Sequence, residues 1–248
     1  MKHTVCIDAV YYGRDFLESV REAAALGAKD IEFWSWWDKD IDALCALQEE
    51  LKFRVVTFCT PFVSLVAPAQ REEYLDALAR TLEVAQRLHC KKIISQVGAD
   101  TGRPREEQHA SLLAGLKAGA SMLEQYGVTL LVEPLNLRVD HPGYYLSASE
   151  EAFALIEEVG SEKVKVLFDI YHQQINEGDI LRRAIPNLSK IGHFHAAGSF
   201  GRHELDNGEL NYPFVFAKLD EAGYQEYTGL EYFPLKTPEQ GIRAFIHS

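Results

Sequence analysis

The stretch VKVLFDIYHQQINEGDILRRAIPNLSKIGHFH, Val164 to His195, holds the unit from which the chain is built. Its first run, VKVLFD, is almost continuously apolar or β-branched rather than alternating. Such a run reads as a strand buried on both faces. The last run, KIGHFH, reads the same way, and GDILRRAIPNL between them carries a helical pattern. Two parallel strands cannot be joined by a tight turn, and a helical crossover supplies the connection. Each strand finishes on a group that is costly to bury, Asp169 on one and His195 on the other.

The same alternation extends in both directions. Eight strand-like runs can be marked: TVCIDAV, KDIEFW, FRVVTFC, KKIISQV, VTLLVE, VKVLFD, KIGHFH and TGLEYF. Helical patterns separate them, beginning with DFLESVREAAALG at Asp15 and closing with the short segment PEQGIRAFIHS, 238–248. SASEEAFALIEEVG opens on Ser147-x-x-Glu150, the spacing of a capping box. Gly27, Gly127, Gly160 and Gly223 stand where helices stop before strands. Eight β-then-α units in a chain of 248 residues predict a single-domain α/β (β/α)8 TIM barrel spanning 1–248. An open dinucleotide-binding sheet is disfavoured, because the turn after the first strand, YYGRD, has no G-x-G-x-x-G.

Composition narrows the function classes. A formal net charge of −12 argues against nucleic acid as a partner, since that needs a basic face. Cys6, Cys45, Cys59 and Cys90 include no Cys-x-x-Cys pair and read as reduced thiols of a cytoplasmic protein. The N-terminal MKHTVCIDAV is interrupted by Asp8 and is not a signal peptide. No apolar run approaches the roughly 18 residues of a membrane helix.

In a barrel of this kind the chemistry sits at the C-terminal ends of the strands. Strand five ends in Glu133, strand six in Asp169, strand seven in His195, and strand eight carries Glu231. Consecutive members lie about one βα unit apart, so one rim receives all four. Taken singly, Asp169 could cap a helix, His195 could be a core histidine, and Glu133 or Glu231 could pair with a basic side chain. Together, three carboxylates and an imidazole predict a divalent cation, Mn²⁺, Mg²⁺ or Co²⁺, with Zn²⁺ the less natural choice.

Further residues fall near the same rim. His172, three past Asp169, either meets substrate hydroxyls or is a plain loop histidine. His193 shares a strand face with His195 one layer deeper, where it would orient a ligand. Arg202 and Glu204, candidate substrate contacts, lie in the aperiodic loop GSFGRHELDNGELNY, and Arg202 is suited to clamp a carboxylate. Glu32 and Gln96 end strands two and four and are candidate substrate contacts. Trp34, Trp36 and Trp37 either wall the pocket or cover the rim.

The motifs LVEPLN, FDIYHQQI, GHFHAAGSFGRHELDNGELNYP and GLEYFP resemble the hydroxypyruvate isomerase family, within the xylose-isomerase-like sugar isomerases and epimerases. The resemblance runs through the whole barrel and is densest from Gly127 to Pro234. It implies that Glu133 and Glu231 are paired catalytic carboxylates and also metal ligands, with Asp169 and His195 completing the set. It also implies that His172 and Arg202 contact substrate. His195 stands where hydroxypyruvate isomerases often carry Gln and where ketose epimerases carry His.

The expected activity is therefore a metal-dependent isomerisation of a small α-hydroxy carbonyl compound through an enediolate. The substrate would be a sugar or a hydroxy-keto acid of the hydroxypyruvate and tartronate-semialdehyde type. A ketose 3-epimerase and a non-catalytic metal- or sugar-binding barrel remain open alternatives, as does a homo-oligomeric assembly. An endonuclease would need more metal ligands and a basic groove.

Overall fold

The structure, a computed structural model, describes residues 1–235 and 237–246. Eight parallel strands are present: β1 (Lys2–Cys6), β2 (Asp30–Phe33), β3 (Arg54–Phe58), β4 (Lys92–Ser95), β5 (Thr129–Val132), β6 (Val164–Asp169), β7 (Ile191–Ala196) and β8 (Tyr227–Leu230). They run in the order β3-β2-β1-β8-β7-β6-β5-β4. The ring closes between β3 and β4 through a parallel bridge from Cys59 to Ile94, where the Thr60 N–H donates to the Ile94 carbonyl at 2.8 Å. The chain is thus a (β/α)8 barrel, as its alternating texture predicts.

Helices pack around the barrel by their apolar stripes. Arg71–Arg87 buries Tyr74, Ala77, Leu78, Thr81, Leu82 and Ala85, and Tyr74 reaches Ser95 Oγ on β4 at 3.0 Å. Asp15 and Asp40 cap the helices that follow them, accepting from Glu18 N and Ala43 N at 2.9 Å each. Gly127 and Gly160 end their helices at φ +64° and +71°, a conformation that costs a side-chain-bearing residue more. Among the described residues no helix is long and apolar enough to cross a membrane, and the four cysteines are free.

Three local expectations need correction, and one falls partly outside the described residues. The first run stops as a strand at Cys6, and Ile7–Val10 is a helical turn, because a buried apolar run does not distinguish the two states. His172 lies on the helix Ile170–Asn176 rather than in a loop. The Ser147/Glu150 box does not form. The helix starts at Ser149, whose N–H is taken by the Glu177 carboxylate at 3.0 Å, while Glu150 pairs with Arg183 at 2.8 Å. The last helix is Pro238–Phe245, and residues 247 and 248 of its expected span lie outside the described residues.

Strand side chains alternate, so residues two apart share a face. Leu131 and Leu167 belong, with Cys59 and Ile94, to a small apolar cluster separate from the main core. Glu133 and Asp169 follow those two leucines by two positions and stand one layer above them. His195 follows His193, and Glu231 follows Gly229, by the same step.

The loop after β7 looks irregular in sequence but is firmly tied. Gly198 N–H donates to His203 O at 2.7 Å, and Phe233 N–H donates to Arg202 O at 2.8 Å. Arg202 itself adopts φ +57°. Gly198 lies so close to the returning chain that an added Cβ would fall 2.3 Å from Asn207 O and 2.5 Å from Glu204 O. Backbone carbonyls cannot swing aside as a flexible side chain can. Gly198→Ala should therefore lower the unfolding free energy by about 1–3 kcal/mol, the usual cost of overpacking. Urea denaturation measures it, and an unchanged midpoint would show that the loop adapts freely.

Candidate active site

The C-terminal mouth of the barrel opens into a cavity of about 320 Å³. Its wall includes Glu133, His172, His195, Arg202, Glu231 and Gln96, with Trp34, Phe62 and His141 on other sides. Ligand atoms of Glu133, Asp169, His195 and Glu231 all lie within 4.8 Å of one another, and all four residues are buried. The structure thus brings together the four strand-end groups that the sequence places on one rim.

Each group is held differently. Asp169 divides its carboxylate. Oδ1 caps the helix Ile170–Asn176, accepting from Tyr171 N at 2.7 Å and His172 N at 3.3 Å. Oδ2 lies 3.4 Å from His172 Nε2 and 3.9 Å from Arg202 Nη2. Capping and site membership are therefore both true of this residue. Glu231 accepts from Trp34 Nε1 and from Arg202 Nη2, at 2.5 Å each. His195 Nδ1 sits 3.1 Å from Glu231 Oε2 and 3.8 Å from Glu133 Oε1, yet it is buried without a hydrogen-bond partner.

The charge balance explains the electrostatics. Glu32, Glu133, Asp169 and Glu231 are buried together against one guanidinium and the imidazoles. Burial, with Glu231 and Asp169 alongside and His195 opposing, pushes the Glu133 carboxyl up to about 8. Burial likewise lifts Asp169 to about 6 against Arg202 and His195. Burial would raise Glu231 too, but Arg202 and His195 outweigh it and hold its carboxyl well below the usual range. Protons alone are a poor remedy for such a cluster. Three carboxylates and an unpartnered ring nitrogen aimed at them are the donor set of a divalent cation, and these residues fit one.

A second layer lies beneath. Glu32 Oε2 is hydrogen-bonded to His193 Nε2 at 3.0 Å, and Glu32 Oε1 lies 3.0 Å from His195 Nε2. One carboxylate on β2 thus faces both histidines of β7. Burial lowers His193 to about 4 even with Glu32 beside it, so His193 is neutral. Burial opposes ionisation of Glu32 as well, but His195 and His193 outweigh it and keep its carboxyl below the usual value. Gly229 makes room for the contact: a Cβ there would fall 2.1 Å from Glu32 Oε1 and 2.6 Å from His195 Cδ2.

Two expected substrate contacts, Glu32 and Glu204, do not line this cavity. Glu32 lies below His195, only 1% exposed, and acts on the histidines. Glu204 turns away from the mouth, where its carboxylate accepts from Leu235 N at 3.0 and 3.2 Å and ties the loop to the chain beyond β8. The tryptophans divide: Trp34 holds Glu231, Trp36 donates to Thr81 Oγ1 at 3.1 Å, and Trp37 packs edge-on against Phe62 at the lip. The role of Trp34 as a hydrogen-bond donor and the place of His141 were not apparent from sequence. A polar handle on an aromatic residue just past a strand end was the available signal for Trp34.

Residues 20–246 match the family described as xylose isomerase-like TIM barrel. The hydroxypyruvate isomerase of Escherichia coli (strain K12) is 33% identical over 238 residues, 92% of each chain. The 2-oxo-tetronate isomerase of Cupriavidus necator is 37% identical over 180 residues, 71% of this chain and 67% of its own. A crystal structure described as AP endonuclease, family 2, from Brucella melitensis superposes with a TM-score of 0.95 at 30% identity, over 98% of this chain and 97% of that one.

Glu32→Gln provides a test of the lower layer. Glutamine can accept from one imidazole but must offer N–H to the other, so His195 loses its fixed orientation. Mn²⁺ affinity measured by calorimetry should fall roughly 10–100-fold, the usual cost of losing a group that orients a ligand. Wild-type affinity in a folded variant would show that Glu32 does not orient His195.

Proposed function

Because the chain belongs to the xylose isomerase-like TIM barrel family, we propose that it is a divalent-metal-dependent isomerase of a small hydroxy-keto acid. The substrate is of the hydroxypyruvate and tartronate-semialdehyde type. The observation that carries this reading is the meeting of Glu133 and Glu231 in one cation-fitted cluster beside a buried arginine. The curated relatives, named hydroxypyruvate isomerase and 2-oxo-tetronate isomerase, support the same reaction class. The net charge of −12 speaks against DNA as the substrate.

Glu133, Asp169, His195 and Glu231 would hold the ion, Mg²⁺ or Mn²⁺ by their donor set. When bound, it supplies positive charge that stabilises an enediolate relative to the hydroxy carbonyl compound. One glutamate takes the proton from the hydroxyl-bearing carbon, and the C–H electron pair becomes the double bond of the enediolate. The other glutamate returns a proton to the former carbonyl carbon. The hydroxyl proton passes from one oxygen to the other, so the product is an isomer with no atom gained or lost. Arg202 uses Nη2 on Glu231, while its buried Nε has no partner and remains for the substrate carboxylate. Gln96, on the cavity wall, meets a hydroxyl.

Glu133→Gln and Glu231→Gln keep the size of the side chain and one oxygen donor but cannot exchange a proton at working pH. Each should lose roughly 10²–10⁴-fold in turnover of hydroxypyruvate, with Mn²⁺ still bound. NMR in D₂O reads the proton transfer directly. The variant lacking the first base shows no deuterium uptake, and the one lacking the returning acid exchanges at the starting carbon without forming product. Metal-loaded variants turning over within about tenfold of wild type would refute the two-glutamate mechanism. Deuterium appearing with inversion at one carbon of a ketose, and no turnover of hydroxypyruvate, would make the protein a 3-epimerase instead.

A further inference from the structure

Asn136 is completely buried three residues beyond Glu133, and every polar atom of its side chain is engaged. Its Oδ1 accepts from Val139 N at 3.0 Å and Asp140 N at 3.1 Å. Those two backbone donors fix which end of the amide is oxygen. Nδ2 therefore points to Asp140 Oδ2 and to His172 Nδ1, the latter 2.6 Å away. Asp140 Oδ2 is steadied from the other side by Tyr171 Oη at 3.0 Å. The backbone N–H of Asn136 also faces His172 Nδ1, at 3.4 Å.

Both groups facing Nδ1 are donors. Nδ1 must present its lone pair, since a proton there would oppose two N–H groups. An imidazole with a lone pair on Nδ1 carries its proton on Nε2. Nε2 is buried, has no hydrogen-bond partner and lies 3.4 Å from Asp169 Oδ2. His172 lines the cavity, so this N–H stands beside the cluster that would hold the reacting oxygens.

We propose that Asn136 is a positioning residue that locks His172 as the neutral Nε2–H tautomer, making His172 a hydrogen-bond donor to a substrate oxygen and never the base. The proposal rests on the isomerase reading for the identity of that oxygen, but not for the tautomer. A donor preset in this way stabilises negative charge as it develops on the enediolate without reorganising. It also leaves the carbon-bound proton to the glutamates, because the only lone pair on the ring is already used.

The test is ¹⁵N NMR of ring-labelled histidine in the Mg²⁺-loaded protein, with His172 assigned by its absence from His172→Gln. In the wild-type protein near neutral pH, Nδ1 should show the shift of an unprotonated nitrogen and Nε2 that of a protonated one. Asn136→Asp puts a carboxylate oxygen where the donor was, so the proton should move to Nδ1. Turnover should then fall roughly 10²–10³-fold, as when an oxyanion donor is removed, while KM stays within a few-fold of wild type. A wild-type spectrum with Nδ1 protonated overturns the proposal without needing any variant to fold. Loss of turnover in Asn136→Asp with the tautomer unchanged assigns Asn136 a merely structural role and overturns it too. A switched tautomer with full turnover removes His172 as the donor. Because the spectrum needs no substrate, failure of the isomerase reading is seen separately, as wild-type protein with the expected tautomer and no turnover of hydroxypyruvate.

Discussion

Three carboxylates, Glu133, Asp169 and Glu231, are buried within reach of one another at the mouth of this barrel, with Glu32 buried beneath His195, and the repulsion among the three is the constraint to which the surrounding structure responds. Each ionised carboxylate taken from water costs several kcal/mol unless it is paired and hydrogen-bonded. The fold offers partial compensation at every point of contact. Arg202 and the Trp34 indole hold Glu231, backbone N–H groups at a helix start hold one oxygen of Asp169, and two imidazoles face Glu32. Glu133 receives the least help, and its carboxyl is pushed up accordingly. A divalent cation among Glu133, Asp169 and Glu231 is the compensation this arrangement still accommodates.

The layers beneath make the cluster rigid. The period of two along each strand sets the three acids and His195 one step above Leu131, Leu167, Gly229 and His193. The lowest polar layer, Glu32 with His193, sits under His195 and leaves Nδ1 free to face upward. Gly229 permits this by having no side chain where the Glu32 carboxylate must pass. Arg202 arrives from outside the barrel on a loop tied to Phe233 and Leu235, so the same short stretch after β8 positions both Glu231 and its arginine. Sequence, packing and charge thus meet in one small volume.

The barrel and its strand-end groups were legible because they depend on local rules. A buried run followed by an acid or an imidazole marks where a strand leaves the core, and Glu133, Asp169, His195 and Glu231 all obey that pattern. Depth was harder to read. Alternation tells which face Glu32 occupies but not that it lies beneath the histidines, and a register shift between Ile31 and Glu32 adds to the difficulty. Glu204 ties its loop to Leu235 and does not line the mouth cavity, and a loop without periodicity does not reveal the direction of its side chains. The helix expected to open on the Ser147 box starts at Ser149 instead, and its first N–H is taken by Glu177 from the turn after another helix, which no local window contains. Asn136 carries no local signal of its role, because its bond to His172 connects two βα units.

The central claim is that one divalent cation is held among Glu133, Asp169, His195 and Glu231. Anomalous diffraction from crystals soaked in Mn²⁺ tests it most directly. The account predicts a single strong peak per chain, about 2–2.6 Å from His195 Nδ1 and from oxygens of the three carboxylates. A fully occupied Mn²⁺ elsewhere, with these four side chains unchanged and unliganded, would contradict it.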